Sequence, residues 1–224
     1  MSRTLPGPDG KPRCRWCAGS PELLRYHDTE WGFPVKADIR LFEKLSLEGF
    51  QSGLSWRTIL AKRDNFRKAF RGFDYRKVAR FTAKDVARLL RDAGIVRHRG
   101  KIEAVIHNAR RAIELARHEG SLAAYCWRFE PKPGRTVAPQ TASTSVESIA
   151  LSKALKQQGW KFVGPTTVYA FMQAIGLIND HVEGCMVRRK VAGRRRKFRV
   201  PRPRPASPRM NAAAGAGARE RNHS

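Results

Sequence analysis

Long apolar runs are missing from this 224-residue sequence. No stretch approaches the roughly 20 apolar residues that a membrane-crossing helix needs, and the opening MSRTLPGPDGKPRCRW lacks the hydrophobic core of a signal peptide. The expectation is a soluble, cytoplasmic chain without a membrane partner. Cysteine is scarce as well. Four cysteines in a chain long enough to bury a sizeable core do not make a disulfide framework, and the histidines near them at both ends suit metal ligation in a reducing compartment. Cys126, amid apolar neighbours, reads as a buried bystander. Acidic residues are the third shortage. With 45 Lys+Arg against 19 Asp+Glu the formal charge is +26, which predicts attraction to a polyanion, nucleic acid first, rather than to an acidic small molecule.

Alternating strand patterns are also scarce, and no internal repeat is visible. Apolar residues instead recur at helical spacing, as in Leu41, Phe42 and Leu45; Ile59, Phe66 and Phe70; Val86, Leu89 and Leu90; Ile102, Val105, Ile106 and Ile113; and Ala170, Phe171 and Ala174. Thr82 with Asp85 resembles a variant capping box, Gly94 stands where a helix would end, and Pro165 suits a first helical turn. The fold class is therefore all-α. Residues 1–13 are rich in Pro and Gly, and residues 186–224 carry 13 basic residues with one acid, several prolines and an Ala/Gly run, so both ends are expected to be disordered. The body, residues 14–185, keeps a formal +12, so its basic character is not a property of the tail alone. The tail is expected to add non-specific DNA affinity.

Three features could carry chemistry. Cys14-x2-Cys17 with His27, and His181-x3-Cys185 at the other end of the body, offer soft and imidazole ligands for one tetrahedral zinc. Five candidates for four positions leave no vacancy for substrate, so the site reads as structural. Cys17 is left over, or replaces Cys14; two buried thiols and two unrelated histidines are the bland alternative. The second feature is the turn Gly159–Gly164 leading into a helix from Pro165 to about Gly176. Its backbone N–H groups and helix dipole could hold a DNA phosphate without reading sequence, with Lys161, Gly164 and Thr166 as candidate contacts. The third is Glu48, three residues after Leu45 and seven after Leu41, on the inward stripe of its helix. A carboxylate there is expensive without a partner. It could cap a neighbouring helix or pair with an arginine, but Gln51, Ser55 and Trp56 close by suggest a polar pocket with an aromatic wall, to which Trp16, Tyr26 and Trp31 could add.

Taken in order, CRWC, RYHDTEWG with Pro34, LFEKLSLEGFQSGLSW, DAGIVRHRGKIEAVIHNAR and SKALKQQGWKFVGPTTVYAFMQAIGLINDHVEGC resemble the 3-methyladenine-DNA glycosylase I family from Cys14 to Cys185. The resemblance implies a helix-hairpin-helix DNA glycosylase fold with the hairpin at about residues 162–175, and one structural zinc held by Cys14, His27, His181 and Cys185, joining the two ends of the body. It implies a base pocket of Trp16, Tyr26, Glu48 and Trp56, with Glu48 the catalytic-site carboxylate. The implied partner is double-stranded DNA containing alkylated bases, and a monomer is expected. The chain departs from the family pattern at Leu23, where a pocket tyrosine is common, and at Phe50, where a glutamine is common. These changes leave the reaction class intact and bear on the pocket wall.

Bifunctional relatives attack the sugar with a lysine early in the hairpin's second helix. Here that stretch is Pro165-Thr166-Thr167, so the chain should be monofunctional. Asp180 is a poor catalyst, standing one residue from a zinc ligand. A base alkylated at N3 is cationic and leaves as a neutral species, so selectivity could rest on tryptophan stacking and on Glu48 accepting from the amino edge of a flipped base. Glu48 must be ionised to do so, which basic neighbours favour and burial opposes. A zinc-stabilised DNA-binding module would not need an acid on an inward stripe beside tryptophans, and a zinc hydrolase would need an open metal position with a general base beside it.

Overall fold

In the computed structural model, which describes residues 3–132 and 138–203, the helical periodicities become eleven α-helices among the described residues, preceded by one two-stranded hairpin. Local chemistry sets several helix starts. Ser20 Oγ accepts from the Leu23 amide at 3.2 Å and Pro21 takes the first position of α1 (Pro21–Thr29), while Ser55 caps α3 (Trp56–Ala61) at 3.2 Å. Asp85 accepts from the Thr82 amide at 3.0 Å at the head of α6 (Ala83–Arg91), as the sequence predicts. Gly94 has a different reason. The helix ends at Arg91 with Asp92 as its cap, and a Cβ on Gly94 would lie 2.9 Å from Asp92 Oδ1 and 3.1 Å from Asn65.

The core forms around α2 (Asp38–Gln51), which buries Leu41, Phe42, Leu45, Leu47 and Phe50 and packs against α7 (Arg99–Glu119), α8 (Leu122–Trp127) and α10 (Pro165–Ala174). Phe50 points into that core, with its ring 4.6 Å from Phe66 of α4 (Arg63–Ala69). The short α5 (Tyr75–Val78) rests on α7, and α9 (Val146–Gln157) pairs with α10 through the turn that joins them. A second, smaller apolar cluster gathers Cys14, Tyr26, Trp31, Ala174, Val182, Cys185, Val187 and Val191. Trp56 packs against both clusters, so the seam between them is where the predicted pocket residues meet. Gly176 keeps the seam tight. A Cβ there would stand 2.6 Å from the Gly32 carbonyl oxygen and 2.7 Å from the Pro34 nitrogen, so the end of α10 can close on residues 32–34 only without a side chain.

The two ends correct the expectation of disorder. Strands β1 (Thr4–Pro6) and β2 (Pro12–Cys14) pair antiparallel, and the buried Arg13 side chain bridges Asp9 and Asp28, its Nε donating to Asp28 Oδ2 at 2.9 Å. At the other end α11 (Met186–Lys197) buries Val187 and Val191, its Arg195 pairs with Glu130, and Phe198 packs 4.5 Å from Trp127. Composition misled here because one inward stripe, not the mean polarity, decides whether such a helix docks. Residues 204–224 lie outside the described residues. Among the described ones no helix is long and apolar enough to cross a membrane.

Candidate functional site

Trp16, on the 3-10 turn Arg15–Gly19, Tyr26 on α1, Trp31 after it, Glu48 and Gln51 at the end of α2, and Trp56 at the start of α3 line one cavity of about 320 Å³. All four predicted pocket residues are there. Its aromatic wall is an interlocking set, with Trp16 and Trp31 edge to face at 5.0 Å and Tyr26 tilted against Trp56 at 5.2 Å. Neither family departure reaches the cavity: Leu23 is buried, Phe50 is core, and neither lines the wall. Gln140, Ala170 and Gln173 complete the lining. Sequence reasoning missed both glutamines. Asp180 explains their placement, its carboxylate accepting from the Gln140 amide at 2.9 Å and from Gln173 Nε2 at 2.6 Å. Asp180 is thus committed to holding two wall residues.

Glu48 is 5 % exposed. Burial pushes its carboxyl up to about 8, against the pull of Lys44 and Arg63, so burial wins and the acid is largely neutral in the empty cavity at neutral pH. The opposing charge comes from a buried network behind Tyr26. Glu30 accepts from Lys44 Nζ at 2.5 Å and from Arg63 Nη2 at 2.7 Å, and Glu43 accepts from Arg63 Nε and Arg67 Nε, both at 2.8 Å. Arg40 pairs with both acids. Lys44 Nζ also lies 5.4 Å from the Tyr26 ring centroid. Lys44, Arg40, Arg63 and Arg67 thus outnumber Glu30 and Glu43, with the exposed Asp64 also on Arg67, so the network puts basic groups on the pocket's buried side. Trp56 Nε1 is buried without a hydrogen-bond partner, an orphaned donor on a cavity-lining residue.

A second cluster stands directly behind the aromatic wall. The ligand atoms of Cys14, His27, His181 and Cys185, all buried, lie within 4.8 Å of one another and could hold a metal ion. Individual separations are 3.1 Å for His181 Nδ1 to His27 Nε2, 3.5 and 3.6 Å from Cys185 Sγ to His27 and His181, and 3.8 Å from Cys14 Sγ to His181. Metal bonds of about 2.3 Å to sulfur and about 2.0 Å to nitrogen in a tetrahedron demand edges of roughly 3.3 to 3.8 Å, so these four separations lie in or near the range of a tetrahedral site, and two thiols with two imidazoles are a donor set that suits zinc. Cys17 is not part of that quartet; its thiol donates to the Cys14 carbonyl at 3.0 Å and stands near His27. Outer contacts fix both rings: His27 Nδ1 meets Asp28 Oδ1 at 2.7 Å and His181 Nε2 meets the Trp31 carbonyl at 3.0 Å. The hydrogen bond with Cys14, then those with both histidines, hold the Cys185 thiol far below the ordinary cysteine value, while the same bond pushes the Cys14 thiol up, so the two share one proton. The cluster and the cavity share a wall, since Trp16 packs 5.4 Å from His27 and Trp31 4.7 Å from His181.

Lys161, Gly164 and Thr166 sit apart from the cavity lining, on the turn between α9 and α10 and the first turn of α10. No side chain caps α10, and a Cβ built on Gly164 meets nothing within 4 Å, so this helix start is open to an incoming group. The turn is rigidly held from below. Asn108 of α7 grips the Lys161 backbone twice, accepting from its amide and donating to its carbonyl, both at 2.8 Å, and Ser152 Oγ donates to the Val163 carbonyl at 2.6 Å. Asn108 gave no sequence signal, because its contact is 53 residues away.

A family profile described as methyladenine glycosylase matches residues 16–189. The chain is 49 % identical over 178 residues to the DNA-3-methyladenine glycosylase 1 of Escherichia coli K12, covering 77 % of this chain and 95 % of that protein. Among solved structures it is similar to a 3-methyladenine DNA glycosylase I with TM-score 0.73 and 46 % identity, covering 78 % of this chain and 98 % of the other. The Staphylococcus aureus 3-methyladenine DNA glycosylase I, in a structure on the basis of 3-methyladenine recognition, matches with TM-score 0.72 and 37 % identity, covering 77 % of this chain and 95 % of that one.

Proposed function

The chain belongs to the methyladenine glycosylase family, and from that premise we propose that it excises 3-methyladenine from alkylated double-stranded DNA by flipping the base and hydrolysing its N-glycosidic bond, as the first step of base excision repair. The observation that carries this reading is a buried carboxyl, Glu48, inside a cavity of about 320 Å³ walled by Trp16, Tyr26, Trp31 and Trp56. A cavity of that size suits one flipped base between aromatic faces, which favour a cation. Normal adenine is neutral and forgoes that attraction.

The arriving cation also answers how Glu48 becomes an acceptor. Two unit charges about 4 Å apart at an effective dielectric of about 20 attract by about 4 kcal/mol, so a bound cation pulls the Glu48 carboxyl back down from about 8. At neutral pH a cationic base therefore favours the ionised Glu48 that accepts from it. With a labile bond and a neutral leaving group, no strong general acid is needed. One zinc held by Cys14, His27, His181 and Cys185 would have a structural task, bracing the Trp16 and Trp31 wall and filling no substrate position. Lys161, Gly164 and Thr166 would hold a DNA phosphate at the start of α10, completing a helix-hairpin-helix contact.

Incubating the protein with methylated duplex should release free 3-methyladenine and leave abasic sites; no release overturns the reading. Because Pro165-Thr166-Thr167 offers no lysine, borohydride should trap no enzyme–DNA adduct during turnover, and an adduct would refute the monofunctional mechanism. Asn108→Ala removes two hydrogen bonds from the Lys161 turn, together about 1 to 3 kcal/mol. Duplex affinity should fall about 10-fold, as each 1.4 kcal/mol or so is a factor of ten, while affinity for free 3-methyladenine holds. Equal losses in both would show that the turn serves the pocket rather than the backbone.

A further inference from the structure

The family match ends at Arg189, yet the folded chain continues through the rest of α11. The inward stripe of this helix, Val187, Val191 and Arg195 at successive turns followed by Phe198, pins it to the body. The rest of the helix carries a different stripe. Lys190, Arg194 and Lys197, at i, i+4 and i+7, are all exposed and face Thr29, Phe33 and Pro34 across a groove of about 470 Å³ with no acid among the described residues that line it. Lys190 Nζ lies 5.7 Å from the Phe33 ring centroid. Like charges one turn apart repel, and α11 has seven basic residues and no acid, so the fold holds this stripe together against its own field. An anion in the groove relieves that repulsion.

We propose that this groove is a binding site for the phosphodiester backbone of DNA, its basic side supplied by the chain beyond the family match. At 1.5 Å rise per residue the three cations span about 10 Å, a row that matches a run of phosphates better than one small anion. The chain's own remaining segment, residues 204–224, has four basic residues and one acid, the wrong sign to fill the groove. The groove also borders the cavity segment, since Phe33 lines the one and Trp31, two residues earlier, the other. The proposal rests on the reading of the protein as a DNA enzyme only for its choice of polyanion.

The test is full-length protein with Lys190, Arg194 and Lys197 all changed to Gln, titrated with undamaged duplex from 50 to 200 mM salt. Each lost phosphate contact lowers the log–log salt slope by about 0.9, so the slope should drop by about two to three and the affinity lost across that range should shrink by about 1.5 orders of magnitude. Excision under single-turnover conditions at saturating protein, and zinc content, should not change, which separates a lost contact from a lost fold. An unchanged slope overturns the proposal. So does a variant that loses binding to phosphatidylserine vesicles while keeping its DNA slope, which would assign the groove to a lipid surface. Wild-type protein that shows the slope difference but releases no 3-methyladenine would overturn the proposed activity and leave the groove standing.

Discussion

If the Cys14, His27, His181 and Cys185 quartet holds zinc as proposed, Cys185→Ser should abolish stoichiometric zinc and lower the Tm by about 10 °C or more, whereas Cys17→Ser should keep stoichiometric metal and a near-native Tm. The four candidate ligands come from the two ends of the body, Cys14 and His27 on one side and His181 and Cys185 on the other; both cysteines belong to the smaller apolar cluster and both histidines are fully buried. Metal binding in such a site contributes directly to folding, by about 10 to 16 kcal/mol where a small domain has nothing else. Here the main core stands on its own, so only part of that contribution should be lost. Several kcal/mol, at about 2 to 4 °C each for a chain of this size, give the expected shift. Because Trp16 rests on His27 and Trp31 on His181, affinity for 3-methyladenine should fall with metal loss while the helical content of the main core persists. Wild-type protein purified without metal, or zinc lost from Cys17→Ser, would sink the assignment.

Glu48 and its surroundings show what a sequence discloses about such a site. Its place on the inward stripe of α2 follows from spacing alone, and its depth in the structure agrees. Spacing could not choose between Cys14 and Cys17; the resemblance named Cys14, and the backbone path of the 3-10 turn, which sends Cys17 to the Cys14 carbonyl, is the physical reason. Lys44 was invisible for the opposite reason. A lysine one position before Leu45 reads as solvated, yet it is 2 % exposed because Glu30, fourteen residues away, neutralises it. Gln140 and Gln173 are both held by Asp180, 40 and 7 residues away, contacts that leave no local pattern. In α11 the apolar stripe was present in the letters, but seven basic residues among twelve outweighed it in any compositional reading.

Replacing Glu48 with Gln should weaken function and strengthen the fold, with both effects following pH. A charge-assisted contact worth roughly 1.5 to 3 kcal/mol is lost, so excision should fall by about one to two orders of magnitude at pH 8 and above. In the free wild-type enzyme the carboxyl ionises at about 8, so kcat/KM should climb with pH toward that value and level off beyond it; the Gln variant should show no such limb. The gap between the two therefore narrows toward pH 6. Lys44→Met removes a neighbouring positive charge, which lowers a carboxyl's pKa, so the wild-type limb should move to higher pH while the base contacts stay. The stability sign runs the other way. A carboxyl raised from 4.5 in the unfolded chain to about 8 when folded gives its full stability below the lower value and loses it as pH rises toward the upper one. Gln has no proton to lose, so the variant's Tm should exceed the wild type's by a margin that grows across that window, a few kcal/mol at most at about 2 to 4 °C each. A variant that binds free 3-methyladenine normally yet excises nothing would place Glu48 on the sugar or the water, and recognition of the base would have to come from the aromatic wall alone.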